Sequence, residues 1–426
     1  MPAKINPQEI DFARYVRSGD TVIWGQACGE PTTLSGKLLS QRHQVDGSFN
    51  VFMGSCFSDT IQADHADVVR FFGIGGVGSN RRLTKAGAMQ IVPCHISSLD
   101  QHIASGIVPC DVVLVQVSPP DERGEYSLGL ISDYIRTAVD KARVVVAEVN
   151  RQVPQTRCER PLRDSDIDVI VETDCAPVQT PSGKYGDKES RIAEFASGFI
   201  PDKATLQMGN GAIPEAIIAT LKSRRGLGIH SGMVGDSVAD LVKAGVVTNE
   251  HKEIDRGLSV TGCLMGTSRL FEFADRNEAL LMCSVSHTHG QNMLSRLSRF
   301  VSINSAVEVD LTGQVNAESI GSDYVGVVGG QVDYVRAASV SPGGCSIIAL
   351  PATTKDGSTK IVAALSGPVT TARSDTGVVT TEFGAADLRG KSLQQRAKAM
   401  IAIADPAHRE ALEREAHALF RGKSGR

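Results

Sequence analysis

The chain has 426 residues, more than one typical domain, with 41% hydrophobic and 22% charged residues, 42 glycines and few aromatics; this profile fits a folded α/β protein with many tight turns and excludes fibrous and disordered classes. A formal net charge of −4 gives no electrostatic footprint for nucleic acid or another polyanion. With no basic-then-apolar leader and no run of 18 apolar residues in the sequence, the expectation is a cytoplasmic protein without a membrane partner.

Nine cysteines are scattered without a C-x-x-C pair, which implies neither a disulfide framework nor a zinc cluster. In chain order, Asn6-Pro7 predicts a capped helix to Arg17, and Thr21 to Gly25 a strand, with Glu30 a few residues beyond it. Phe49 to Met53 is the next strand, with Asp59 past its end, and Val68 to Phe72 leads into Gly73-Ile74-Gly75-Gly76-Val77-Gly78. This loop satisfies G-x-G-x-x-G, but Ser79 to Gly87 leaves little room for the long helix of a dinucleotide fold, so the match is read as a decoy. Apolar runs at Asp111–Val117 and Val144–Asn150 enclose a helix over Asp133–Lys141. The alternation predicts a mostly parallel sheet with ligands beyond the strands' carboxyl ends, where Glu30 and Asp59 fall. Ala176 to Lys188, rich in Pro, Gly, Ser and Thr, reads as a linker and divides the chain into 1–187 and 188–426.

In the second half, a helix over Glu189–Phe199 precedes Thr205-Leu206-Gln207-Met208-Gly209-Asn210-Gly211-Ala212-Ile213-Pro214 and a helix beyond it. The strand opens through two glycines onto a helix N-terminus, where free N–H groups suit a phosphate or other anion; the same glycines serve equally to turn the chain. Leu227 to Met233 is a strand running into a glycine turn. Ala279 to Val285 is a strand ending in Ser286-His287-Thr288-His289; on an extended chain the two histidines share a face and could bind a metal, although no carboxylate or cysteine at ligand spacing joins them. Val301–Asn304 and Val307–Thr312 are read as strands paired around a turn. At Gly329-Gly330, glycines bring successive N–H groups within reach of an oxyanion, as acyl chemistry requires. Helices over Leu393–Ile403 and from Asp405-Pro406 to Phe420 close the chain, with Arg421 to Arg426 as a basic tail.

Several of these segments resemble the acetyl-CoA hydrolase/transferase family, within class I CoA-transferases of the 4-hydroxybutyrate and butyrate:acetate type. The resemblance rests on Ala147-Glu148-Val149-Asn150-Arg151-Gln152-Val153-Pro154, Gln207 to Pro214, Leu227-Gly228-Ile229-His230-Ser231, Glu308 to Asn316, Gly329-Gly330-Gln331-Val332-Asp333-Tyr334 and Leu388 to Leu393. It implies two similar open, mostly parallel α/β domains with the active site in the cleft between them, and a homo-oligomer. It also implies that Gly209, Asn210, Gly211, Ala212 and Ile213 receive part of coenzyme A, that Lys355 lies near it, and that Gly329 and Gly330 lie at the thioester. Coenzyme A is then a substrate, not a tightly bound cofactor.

The sequence departs from the family pattern twice. The nucleophilic glutamate that forms the family's acyl and CoA intermediates belongs after His230-Ser231, where this chain has Gly232. Where related enzymes often carry an asparagine near the acyl group, it has His289. Three readings follow: a divergent transferase acting on a short carboxylic or dicarboxylic acid such as itaconate, with Glu30 or Asp59 supplying the missing carboxylate; a thioesterase in which Gly232 leaves room for a water activated by His289; or a CoA-binding protein without turnover.

Overall fold

The computed structural model describes residues 1–181, 183–209 and 211–420; Asn210 and the basic tail Arg421 to Arg426 lie outside the described residues. Two large open sheets organise the chain, as expected from the alternating strands and helices. The first has eight parallel strands in the spatial order 3–5, 169–173, 144–150, 112–117, 21–24, 49–53, 69–73, 89–91. Val112–Val117 is buried at every position, as befits a central parallel strand covered by helices on both faces. The second sheet has nine strands in the order 384–387, 378–381, 345–349, 300–305, 205–208, 228–234, 259–264, 280–282, 157–158. All its pairs are parallel except the terminal 378–381 and 384–387 hairpin.

Both sheets are wound the same way. In each, the next three strands in sequence run outward from a central strand, 21–24 or 205–208, and the chain then returns to that strand's other side: 112–117 lies beside 21–24, and 300–305 beside 205–208. That reversal opens a crevice beyond the carboxyl ends of the two central strands, because their connections leave in opposite directions. The reversal of the second sheet lies at Gly209, just past the 205–208 strand. Its flanking strands are tied by a buried reciprocal amide pair: Gln207 Nε2 donates to Asn304 Oδ1 at 3.3 Å, and Asn304 Nδ2 to Gln207 Oε1 at 3.1 Å.

Some local expectations change. Residues 6–17 hold a turn and the single 3-10 turn Phe12–Arg14 instead of a helix. Residues 3–5 are a strand on the edge of the first sheet. The 300–305 strand joins the main sheet, whereas Glu308–Asp310 pairs antiparallel with 315–316 and parallel with 361–362 in a separate small sheet. Adjacent apolar runs separated by a turn cannot reveal which distant strand will win the pairing.

The Gly73–Gly78 loop has a structural task. Gly75 bridges Val327 antiparallel, and Gly76 N–H donates to Gly326 O at 3.0 Å, joining the first sheet's loops to the second half. The following helix, Asn80–Lys85, has only six residues, too short for a dinucleotide-binding turn. A Cβ at Gly76 would stand 2.1 Å from the carbonyl oxygen of Tyr324, whereas one at Gly87 would meet nothing within 4 Å, although Gly87 has φ +65°. Gly76→Ala should therefore lower the unfolding free energy, read from the urea midpoint at unchanged m, by ~2–3 kcal/mol through backbone displacement, and Gly87→Ala by only ~1 kcal/mol through its left-handed conformation; equal losses would contradict a structural role for Gly76.

Candidate active site

The second-half elements that meet the first half carry the site. The helix Gln331–Val340 begins at Gly330, and its first turn is fixed from across the cleft. Ile96 N–H donates to Gly329 O at 3.0 Å, and Ser97 donates to Asp333 through its N–H at 3.1 Å and its hydroxyl at 2.7 Å. Gly329 is held at φ +58°, a conformation glycine adopts without a Cβ penalty. Opposite lies the strand Gly228–Val234, with Gly232 near its carboxyl end.

His289 fills the space between Gly232 and Gly330. A Cβ at Gly232 would lie 2.5 Å from His289 Cε1 and 2.7 Å from Nε2; one at Gly330 would lie 2.5 Å from Nε2. Tyr334 backs the imidazole at 4.6 Å between ring centroids and donates its hydroxyl to Thr288 O at 3.1 Å. Neither glycine position can hold a side chain while the ring stays there, because close-packed atoms do not approach so near.

The partners of His289 fix its tautomer. Thr288 Oγ1 lies 3.1 Å from Ser284 O, which can only accept, and 2.9 Å from His289 Nδ1. The single hydroxyl proton goes to the carbonyl, so Nδ1–H donates to the hydroxyl and Nε2 carries the lone pair. Among the described residues no hydrogen bond engages Nε2. The side chain is 6% exposed, and burial, with a smaller contribution from His230, lowers its pKa to about 3. A base that weak is poorly matched to activating water near neutrality.

His287 and His289 do not share a face of an extended strand. The strand stops at Met282, and Val285–Thr288 is a single helical turn, which sends the two rings apart. His287 Nε2 lies 2.9 Å from Asp255 Oδ2 and Nδ1 3.4 Å from Glu159 Oε1. These hydrogen bonds raise its pKa to about 9. His230 stacks on His287 at 5.9 Å and donates Nε2–H to His287 O at 3.1 Å. Burial, then the neighbouring Lys252 charge, lowers the His230 pKa to about 3. Glu159, Cys283 and His287 offer metal-ligand atoms within 4.8 Å of one another. However, the imidazole is already paired at both nitrogens, and burial and two carboxylates push the Cys283 thiol far above its ordinary pKa. The arrangement is a half-buried imidazolium between two acids.

Glu30 and Asp59 lie elsewhere in hydrogen-bonding terms. Glu30 Oε1 accepts from Phe57 N–H at 2.5 Å and Ser58 N–H at 3.2 Å, and Oε2 from Ser58 Oγ at 2.6 Å; it pins the loop after the 49–53 strand. Asp59 is exposed and paired with Arg82. Neither joins the His289 cluster among the described contacts.

On either side of Asn210 the expected strand and helix are present. Gly209 N–H donates to Ile303 O at 3.1 Å, and Gly211, at φ +125°, precedes the helix Ala212–Thr220. Pro214 sits inside its first turn, where no backbone donor is needed. The approach is shaped by the linker, since a Cβ at Gly183 would lie 2.8 Å from Ala212 N. Lys355 is exposed in the 354–358 turn. Ile96 and Ser97 fix the site from the first half but have no motif signal in the sequence, and Thr288 and Tyr334 lie inside quoted segments that gave them no role.

Both halves match models of one enzyme family. Residues 4–179 match the acetyl-CoA hydrolase/transferase N-terminal domain, and residues 266–416 the C-terminal domain. The chain belongs to the acetyl-CoA hydrolase/transferase family. It is 38% identical to the 4-hydroxybutyrate coenzyme A transferase of Clostridium kluyveri over 94% of each chain. It is 32% identical to the succinyl-CoA:cyclohexane-1-carboxylate CoA transferase of Geobacter metallireducens over 97% of this chain and 95% of that one. Among solved structures, RipA from Yersinia pestis superposes with a TM-score of 0.91 at 30% identity, covering 98% of this chain and 97% of that one. The 4-hydroxybutyrate CoA-transferase of Porphyromonas gingivalis superposes with 0.83 at 33% identity, covering 98% of each.

Two outcomes follow. Gly232→Ala should cost ~1–3 kcal/mol of unfolding free energy in the native background and much less beside His289→Ala, a coupling read from a double-mutant cycle; additive losses would remove the contact. His287 gains stability from a folded pKa raised to about 9. That contribution is complete below its unfolded value near 6.5 and is lost as pH rises through about 9. His287→Gln should flatten the fall of Tm across this window; an unchanged slope would contradict the ion pairs.

Proposed function

We propose that the protein is a CoA-transferase, moving coenzyme A between an acyl-CoA and a short carboxylic or dicarboxylic acid. The end-to-end similarity to transferases named for 4-hydroxybutyrate, butyrate and succinate carries this reading. Itaconate has the same chemistry and remains in the candidate acceptor set. In this reading Gly209, Asn210, Gly211, Ala212 and Ile213 receive part of coenzyme A, Lys355 approaches it, and the thioester lies at Gly329-Gly330 beside His289. A cavity of about 430 Å³ begins next to those glycines in sequence, at Val328, and is lined by Val332 and Val369 together with His95, Glu318, Arg336 and Asp375, a mixed lining compatible with a short acid that carries a polar group. The halves 1–187 and 188–426 form the cleft, and the protein acts as a cytoplasmic homo-oligomer, as the family resemblance suggests.

Transfer is favoured over hydrolysis by the state of position 232. The imidazole occupies the space that a water would need, and its low basicity does not suit it to deprotonate one. Butyryl-CoA incubated with acetate, 4-hydroxybutyrate, succinate or itaconate should yield the acceptor's CoA ester, while butyryl-CoA alone should release CoA at least tenfold more slowly. Free CoA appearing at the same rate with and without an acid would refute transfer.

A further inference from the structure

The route of that transfer, which rests on the proposed activity, turns on what receives the acyl group. Exchange of CoA between two acids needs a carboxylate to receive the acyl group, because only an anhydride keeps it activated enough for the thiolate to return. Among the described residues no carboxylate is found in the contacts of His289, Gly232 or Gly330. Position 232 has no side chain, and the space is filled by a neutral imidazole. The carboxylates on neighbouring elements already have fold partners: Asp333 with Ser97, Asp100 with Ser286 N–H, Asp133 with Gln26 and Tyr134 N–H, Asp255 and Glu159 with His287, and, lining the cavity, Glu318 with the Tyr324 and Thr370 hydroxyls and Asp375 with Arg336. Glu30 is held by Phe57 and Ser58.

Exchanging an ionised glutamate for a neutral ring also changes which ligands can share the cleft. A protein carboxylate beside the thioester repels a second anion; an uncharged His289 does not. The helix Gln331–Val340 opens directly after Gly329-Gly330, and a helix N-terminus favours negative charge.

We propose that the acceptor acid is itself the nucleophile, and that donor and acceptor react within one ternary complex. The acceptor's carboxylate oxygen attacks the thioester carbonyl; the carbon–sulfur bond breaks, and coenzyme A leaves as the thiolate. The product is a mixed anhydride of the two acids. The thiolate then attacks the acceptor's carbonyl, the anhydride carbon–oxygen bond breaks, and the donor acid departs as a carboxylate. No proton, oxidant or water enters the balance. One oxygen of the acceptor ends in the released acid. His289 is a positioning residue: it occupies the empty position, keeps water out and adds no charge.

The test uses the full chain with butyryl-CoA and whichever acid the transfer assay selects. Initial rates measured over a grid of both substrates should give intersecting double-reciprocal lines. With 18O-labelled acceptor and enzyme in excess, the butyrate released in the first turnover should carry 18O. Parallel lines, or unlabelled butyrate in that turnover together with a borohydride-reducible enzyme thioester, would overturn the ternary route while leaving CoA transfer intact. If no acid supports transfer, both this inference and the proposed function fall.

Discussion

The site depends on a steric exclusion: the imidazole of His289 and a side chain at position 232 cannot occupy the cleft together. A Cβ there would be 2.5 Å from Cε1, well inside the distance at which carbon atoms repel. Gly232 and His289 are therefore one feature. The exclusion extends to Gly330, whose missing Cβ admits the same ring from the other side. Tyr334 closes the back of the wedge, and Thr288 sets its proton. The cross-cleft bonds from Ile96 and Ser97 hold the Gly329–Asp333 turn against it. A glycine and a histidine that share one space in this way are coherent packing, with the histidine hydrogen-bonded and kept neutral by burial.

Much of the architecture was legible because parallel α/β folds write buried strands as continuous apolar runs. Phe49–Met53 and Val144–Asn150 fall where the pattern puts them, and the second sheet's reversal lies at Gly209. Strand partners were less legible. The 157–158 strand lies early in the sequence yet edges the second sheet, and 307–312 has its own small sheet, because pairing is decided by long-range contacts. Val285–Thr288 read as extended from its apolar lead-in, but one helical turn separates the two histidines.

The chemistry was only half legible. Family resemblance exposed Gly232 and His289 as departures, and their common pocket was inferable. That one fills the other's space was not, since it depends on atomic contact between residues far apart in sequence. Glu30 and Asp59 lay past strand ends, where site residues gather. The fold uses the first as a loop clamp and the second as a surface ion pair. Position relative to a strand end indicates access to a cleft; only hydrogen-bond partners reveal whether a carboxylate has a lone pair to spend.

The decisive observation is a crystal structure of the protein with a non-cleavable thioether analogue of an acyl-CoA. The account requires the carbonyl beside the Gly329-Gly330 backbone and His289, with the coenzyme's tail reaching the Gly209–Ile213 turn and His289 still seated over Gly232. Density for the analogue outside this cleft, or a His289 ring displaced so that a protein carboxylate reaches the carbonyl, would contradict it.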